Sequence, residues 1–322
     1  MRSIFRQLAV ALVLFWVVLT LTFVMIRAAP GDPVSFLAPP TATASELARL
    51  RVALDLDAPV AVQYGRWARH IIKGDLGTSF VARRPVTSVL GDAIPISAGL
   101  GGISLLLTFV IGVALGGLQA ARRGTHLDNA LTVVTTTVYA APSFWLALSL
   151  IALFTYGAAR LGLPVWLRLP AFGVRDPAGA TGATDVVRHA ILPVLTLTLI
   201  GAAGIARYAR TSAIELLQLQ WVRTAVAKGA PNRAVHMKHV LANALPTLLI
   251  LFALALPGVL AGSVFVETVF GWPGVGRLMV SSIFARDYPV VVGATVVYAA
   301  TVILANLAAD LALPLVDPRR RT

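Results

Sequence analysis

Six long stretches of this chain are almost free of ionisable side chains: Leu8 to Ile26, Ile96 to Ala121, Asn129 to Ala158, His189 to Ala206, Leu245 to Val266 and Val290 to Leu315. A helix needs roughly 20 apolar residues to cross a hydrocarbon core about 30 Å thick, so each stretch predicts a transmembrane helix. Only the sixth holds an acid, Asp310, about one turn from its end. Composition agrees: 57% of residues are apolar and 13% charged, against about 25% charged in soluble proteins. This excludes the water-facing globule, and it excludes a disordered chain, which needs low hydrophobicity. The net charge of +13 would suggest nucleic acid in a soluble domain. Here it reads as loop charge, and no nucleic-acid partner is expected. The first stretch exceeds a signal-peptide core and lacks an obvious small-residue cleavage site, so it reads as a retained anchor.

Charge sorts by segment. With Met1 inside, the inner segments carry Arg2, Arg6, Arg122, Arg123, Arg207, Arg210, Arg223, Lys228, Arg233, Lys238, Arg319, Arg320 and Arg321, against only Asp128, Glu215 and Asp317. The outer segments are nearly balanced, with acids such as Glu46, Asp55, Asp57, Asp75 and Asp92 among their basic residues. Cytoplasmic loops carry the Lys/Arg excess, so both termini are expected in the cytoplasm, which six spans allow.

The spans are chemically quiet. There is no cysteine, hence no disulfide, thiolate zinc site or CxxC chemistry. His236 and His239 stand three apart without a nearby carboxylate, which predicts no metal site. Coupled carriers place an acid or His near the midplane, and these spans offer none. No G-x-x-x-x-G-K-[ST] phosphate loop occurs, and no catalytic constellation stands within the spans. No cofactor or catalytic residue is expected, and energy for transport must come from another chain.

Gly112 and Gly116 form a GxxxG pair for close helix approach. Thr132, Thr135, Thr136, Thr137, Tyr139 and Ser143 make the third span rich in hydroxyls, which either bond back to their own helix or line a hydrated path. Pro142, Pro246 and Pro257 are expected to kink or interrupt their helices.

Between the fourth and fifth spans, Ile214, Leu216, Leu217, Leu219, Trp221, Val222 and Val226 give an apolar face. Lys228-Gly229-Ala230-Pro231 then supplies a helix stop, and Asn232 offers a cap for a second helix. Such a segment suits either a helix lying in anionic headgroups or one held for a cytoplasmic partner. The outer segment 28–95 predicts two short helices, Ala44 to Leu54 and Val60 to Ile72. Trp67, Ile71 and Ile72 would pack inward, with Arg49, Arg51, Arg66, Arg69 and Lys73 in water.

Trp221-Val222-Arg223-Thr224-Ala225-Val226-Ala227-Lys228-Gly229, followed by His239 to Pro246, resembles the EAA loop of binding-protein-dependent ABC importers in its peptide-permease form. Ala225, Gly229 and Leu245-Pro246 keep the motif, while Arg223-Thr224 stand where the general form has Glu-Ala. Phe265 to Arg277, Arg286-Asp287-Tyr288-Pro289, Pro30-Gly31-Asp32-Pro33, Leu54 to Pro59 with Tyr64, Gly74-Asp75-Leu76-Gly77 and Asp317-Pro318-Arg319 extend the resemblance along nearly the whole chain.

The resemblance implies an all-α membrane protein of the type I ABC importer permease fold, with six transmembrane helices and an extracytoplasmic segment after the first. Its parts would be 1–27 (tail and first span), 28–95 (outer segment), 96–315 (core, with the coupling loop at 207–245) and a basic tail, 316–322, in a bacterial inner membrane. Its implied partners are a second homologous permease subunit, cytoplasmic ABC ATPase subunits that hold ATP and Mg, an extracytoplasmic binding protein, and lipid. Trp221, Val222, Arg223, Thr224, Ala225, Val226, Lys228 and Gly229 would form the ATPase-coupling helix, with Val222, Ala225 and Val226 filling a pocket there and Arg223 and Lys228 at its rim. Thr135, Thr136, Tyr139, Ser143, Glu267 and Trp272 are candidates for the path or an outer gate. The implied cargo is a di- or oligopeptide. A nickel chelate or another small solute is the alternative within the family. A self-sufficient carrier or channel, or an assembly scaffold, are the alternatives outside it.

Overall fold

The computed structural model describes residues 2–28, 34, 41–53, 57–176, 182–261 and 264–316. Pro30 to Pro33, Leu54 to Leu56, the tail from Asp317 and the side chain of Asp310 lie outside the described residues. The described residues are helical apart from loops and a single isolated bridge between Thr78 and Pro85. This is what lipid demands of a chain that must satisfy its backbone internally.

The chain forms two compact units, residues 1–95 with 278–303 and residues 96–277 with 304–322. In the first, α1 (Arg2–Ala28) is apolar around its circumference. Its Phe23 packs against Tyr64 and Trp67 of α3 (Val60–Ile72), with ring centroids 5.4 and 5.2 Å away. Thr20 Oγ1 lies 2.7 Å from the Tyr64 hydroxyl. Between them, α2 (Ala44–Ala53) opens with a capping box in which the Thr43 N–H donates to Glu46 Oε2 at 2.8 Å. Those bonds hold the Glu46 carboxyl below its usual range. Trp67 packs on Phe23 and Ile71 is half-buried, but Ile72 is 73% exposed. Five residues along a helix is a rotation of about 140° from Trp67, so Ile72 cannot share its face.

The long helices are α4 (Val86–Ala121), α7 (Ala183–Leu217) and α12 (Tyr288–Val316), with α9 (Ala242–Ala261) entered through a turn at Asn232–Ala234 and a π-helical segment at Val235–Leu241. The first and second reach far beyond the apolar stretches that announced them, α4 at its start and α7 at both ends, because charge marks the membrane edge and does not stop a helix. Among the described residues, five helices are long and apolar enough to cross a membrane. The third expected span is broken: α5 (His126–Ala140) and α6 (Ser143–Ile151), which continues as a π turn to Gly157, are bent 104° apart. Pro142 forces Ala141 into extended backbone, φ −72° and ψ 132°. Counted as one span, the bent pair makes six. The fifth expected span also ends early, since Val264–Val269 forms a separate helix, α10. Pro246 and Pro257 do not interrupt α9, which runs through both.

In the second unit α7 is the central helix, packed by α5, α6, α9 and α10. Its buried face reads Ala202, Ala206, Ala209, Ala213, small residues that let backbones approach. Gly112 and Gly116 of α4 face that stripe, as the GxxxG pair predicts: a Cβ on Gly116 would sit 2.4 Å from the Ala206 carbonyl oxygen.

Candidate coupling and gating sites

Only Gln218 and Leu219 separate α7 from α8 (Gln220–Ala227). Gly229 stops this helix at φ +84°, with its own N–H on the Val226 carbonyl (2.9 Å) and the Ala230 N–H on the Ala225 carbonyl (3.1 Å), a left-handed helix end that glycine reaches without strain. Pro231, not Asn232, occupies the cap of the next helix, and Asn232 is its first residue. A helix of eight residues has little stability of its own, so one side must bury in its own chain. Val222 does so completely, and the Trp221 ring packs edge-on to His239, centroids 6.0 Å apart. Val222 is therefore an internal anchor rather than part of the surface expected to fill a partner's pocket. Trp221, Arg223, Thr224, Val226 and Lys228 are exposed, and Ala225 is half-buried.

Sequence reasoning missed the ion pair nearest to this loop. Asp128 of α5, 1% exposed, accepts Arg210 Nε on one oxygen (2.9 Å) and Nη2 on the other (2.8 Å), a two-pronged bond to α7. The Gly124 N–H adds a bond at 3.0 Å. The available signal was Thr125, whose hydroxyl accepts the Asp128 N–H at the start of α5. Tyr139, further along the same helix, lies under the Arg207 guanidinium, 4.8 Å from the ring centroid. So α5 is tied to α7 twice, close to where α7 hands on to α8.

The residues named for a path or gate fall into two groups. Thr135 is buried and donates to the carbonyls of Leu131 and Thr132 (2.8 and 3.2 Å), the back-bonding use of a hydroxyl, while Thr136 and Tyr139 are exposed and Ser143 half-buried at the start of α6. Glu267 and Trp272 belong to a second construction. Glu267 on α10 is completely buried and holds the turn that follows it: Ser97 Oγ donates to Oε1 at 2.7 Å, the Arg277 N–H to Oε2 at 3.1 Å, and the Trp272 N–H to the Glu267 carbonyl at 2.8 Å. Ser97 in turn accepts the Val275 N–H at 2.8 Å. Gly274 and Gly276 lie so close that any Cβ would meet the carboxylate. Burial pushes the Glu267 carboxyl upward, opposed by its bonds from Ser97, Arg277 and Gly276. Trp272 is buried in the turn.

The two groups meet where α10 packs on α6, with Phe144 and Phe265 6.5 Å apart between centroids. Glu267 also lines a cavity of about 280 Å³ between α4, α7 and α9, together with Ser97, Ser104, Thr108, Phe109 and Gly201. Among the described residues no cluster of His, Asp and Glu could hold a metal ion.

Comparison with known proteins covers both parts of the chain. Residues 110–322 match the family described as binding-protein-dependent transport system inner membrane component, and residues 1–101 match the N-terminal region of such components. The chain is 36% identical to the oligopeptide transport system permease protein AppB of Bacillus subtilis over 93% of this chain and 92% of that one. It is 37% identical to the probable D,D-dipeptide transport system permease protein DdpB of Escherichia coli over 98% and 97%, and 34% identical to the dipeptide transport system permease protein DppB of the same species over 100% and 99%. Among solved structures it resembles a chain of the MetNI methionine ABC transporter in an inward-facing conformation, with a TM-score of 0.54, 20% identity, and coverage of 72% of this chain and 97% of that one. That likeness concerns the fold.

Proposed function

Since this chain belongs to the family of inner-membrane components of binding-protein-dependent transport systems, we propose that it is one of two membrane subunits forming the path of an ATP-driven importer of di- or oligopeptides. An extracytoplasmic binding protein delivers the peptide, and cytoplasmic ATPase subunits hold ATP and Mg. This subunit binds no cofactor and hydrolyses nothing. Both termini face the cytoplasm. Peptide as cargo is supported by the names of the relatives, each 34 to 37% identical over nearly its whole length.

The observation that carries the mechanism is the coupling loop. Trp221, Arg223, Thr224, Val226 and Lys228 present a mixed apolar and basic face next to a glycine turn, while Val222 fastens the same helix to its own subunit. A helix anchored on one side and free on the other can transmit a push. When ATP draws the ATPase subunits together, α8 moves with them and carries α7, and Asp128–Arg210 passes that displacement to α5. ATP must bias an element with two arrangements to move anything.

The test uses the assembled complex in proteoliposomes. Gly229→Pro removes the left-handed φ that the turn requires, and deletion of 223–229 removes the docking face. Both are expected to insert into the membrane and to lose peptide-stimulated ATP hydrolysis and peptide uptake together. Unchanged stimulation in both would refute the role.

A further inference from the structure

After α8 stops at Gly229, the turn at Asn232–Ala234 leads into a π-helical segment of seven residues, Val235–Leu241, which passes without a break into α9. A π-helix closes its hydrogen bonds five residues back instead of four, so it holds one residue more than the α-helix it is set into. Such turns are rare, mostly single, and frequent at functional sites. Their surroundings differ within this chain. Another short helix, α11 (Val275–Phe284), stops in loops at both ends, and the π turn at Ala152–Gly157 runs out into a loop. Only Val235–Leu241, among the described residues, sets a wide turn between the coupling helix and a span.

This wide turn is not a frayed end. Val235 and Val240 are buried, and Val240 packs with Ala120 of α4 and Ala213 of α7. No glycine or proline lies between Asn232 and Leu245, so neither common cause of a helix kink accounts for it. Side chains brace the ladder at both edges of the segment: the His236 ring donates from Nδ1 to the Asn232 carbonyl at 2.8 Å, and Asn243 Nδ2 donates to the His239 carbonyl at 2.6 Å. The first brace is imperfect. His236 Nε2 is enclosed and meets no partner among the described residues, the mark of an arrangement that is not the best its own hydrogen bonds allow.

α7 and α9 pack on each other through Ala209, Ala244 and Leu248. α8 is fastened to both, so it can change its angle only if one of the joints gives. The joint to α7 is bonded through, with the Gln218 N–H on the Glu215 carbonyl and the Leu219 N–H on the Leu216 carbonyl, both at 3.1 Å. The joint to α9 is the π segment, on which Trp221 of α8 rests through His239. Tightening that segment by one residue of the ladder turns what precedes it by about 100° relative to α9.

We propose that Val235–Leu241 is the joint that gives: wide in one arrangement of the transporter and tightened to an α-helix in the other, it lets α8 turn without unseating Ala244 and Leu248 from α7. This rests on the permease reading, which makes α8 the coupling helix.

The decisive variant deletes Met237, which is 58% exposed. Loss of one residue from a regular helix turns everything before it by about 100°, whereas loss of one from a wide turn leaves an α-helix with both flanks in place and no spare residue to take up. In the complete complex in nanodiscs, the deletion is expected to keep all its subunits and its basal ATP hydrolysis, and to lose stimulation by the peptide-loaded binding protein. Spin labels at Gln220→Cys and Leu254→Cys, on a chain without other cysteines, report the angle of α8 against α9. ATP should move the otherwise unaltered chain between two label distances, while the deletion keeps one. Asn243→Leu removes a brace of the wide form and should shift the two populations about fivefold toward the distance that the deletion lacks. Retained stimulation in the deletion overturns the proposal, and so does failure of that variant to assemble, because a spare residue can be lost. An ATP-insensitive label distance in a complex that is still stimulated, or populations unmoved by Asn243→Leu, overturns it as well. A wild-type complex that no loaded binding protein stimulates would instead sink the permease reading beneath it.

Discussion

Glu267 is the carboxylate on which a residue-scale reading depends most. The fold raises its proton affinity by burial, so the protonated form is the one folding favours. Its stabilising contribution is complete below the ordinary carboxyl range and is lost as pH rises through the raised value. The thermal midpoint of the purified complex should therefore decline as pH rises above the ordinary carboxyl range. Glu267→Gln should remove that part of the decline. Glu267→Ala leaves the Arg277 N–H and Ser97 without their partner and should cost about 2 to 3 kcal/mol. Asp128 makes a different case, because its partner is cationic. Asp128→Asn, with Arg210 still in place, should cost about 3 kcal/mol, and exchanging the two charges should restore part of it; denaturation in the same detergent checks both. The sequence named Glu267 as a candidate for the path or an outer gate, but nothing local in it announced that the carboxylate is fully buried. It did not single out Asp128–Arg210 at all, because its two halves are 82 positions apart.

At the scale of elements, the close approach of α4 to α7 rests on missing side chains. A Cβ on Gly116 would lie 2.4 Å from the Ala206 carbonyl oxygen and 2.7 Å from Ala209 Cβ, whereas one on Gly117 meets nothing within 4 Å. Because the obstacle is mostly backbone, α4 would have to move away. Gly116→Ala should lower stability by about 1 to 3 kcal/mol, and Gly117→Ala should be neutral; thermal unfolding of the two variants side by side decides it. The glycine spacing was legible in the sequence, since it is local. The bend between α5 and α6 was half legible: Pro142 announced a break, but a proline gives no angle, and the 104° between the helices is set by what α6 packs on. The coupling helix shows the same division. Its length and its stop at Gly229 were readable from residue types, while the inward turn of Val222 was not, because Trp221, Val222 and Val226 are equally apolar until a neighbouring helix covers one of them.

Over the whole molecule the question is sidedness. Five straight helices alone would place the termini on opposite sides, and the bent pair must cross as a sixth for both to be inside. A reporter fused after Thr322 should be active only in the cytoplasm, and one inserted between α2 and α3 only outside; the opposite pattern would discard the topology. What the sequence determined by itself is what depends on composition and short spacing: membrane residence, all-helical backbone, the charge asymmetry, the glycine contacts, the family motifs. A run of apolar residues has only one solvent that suits it, and helix periodicity follows from the backbone. What only the tertiary structure decided is which of several equivalent side chains is buried and which distant groups meet. Glu267 with Ser97, Asp128 with Arg210 and Asp287 with Ser79 are each closed by chain segments far apart in sequence. The energy of those contacts exists only once helices have packed, and no local pattern encodes it.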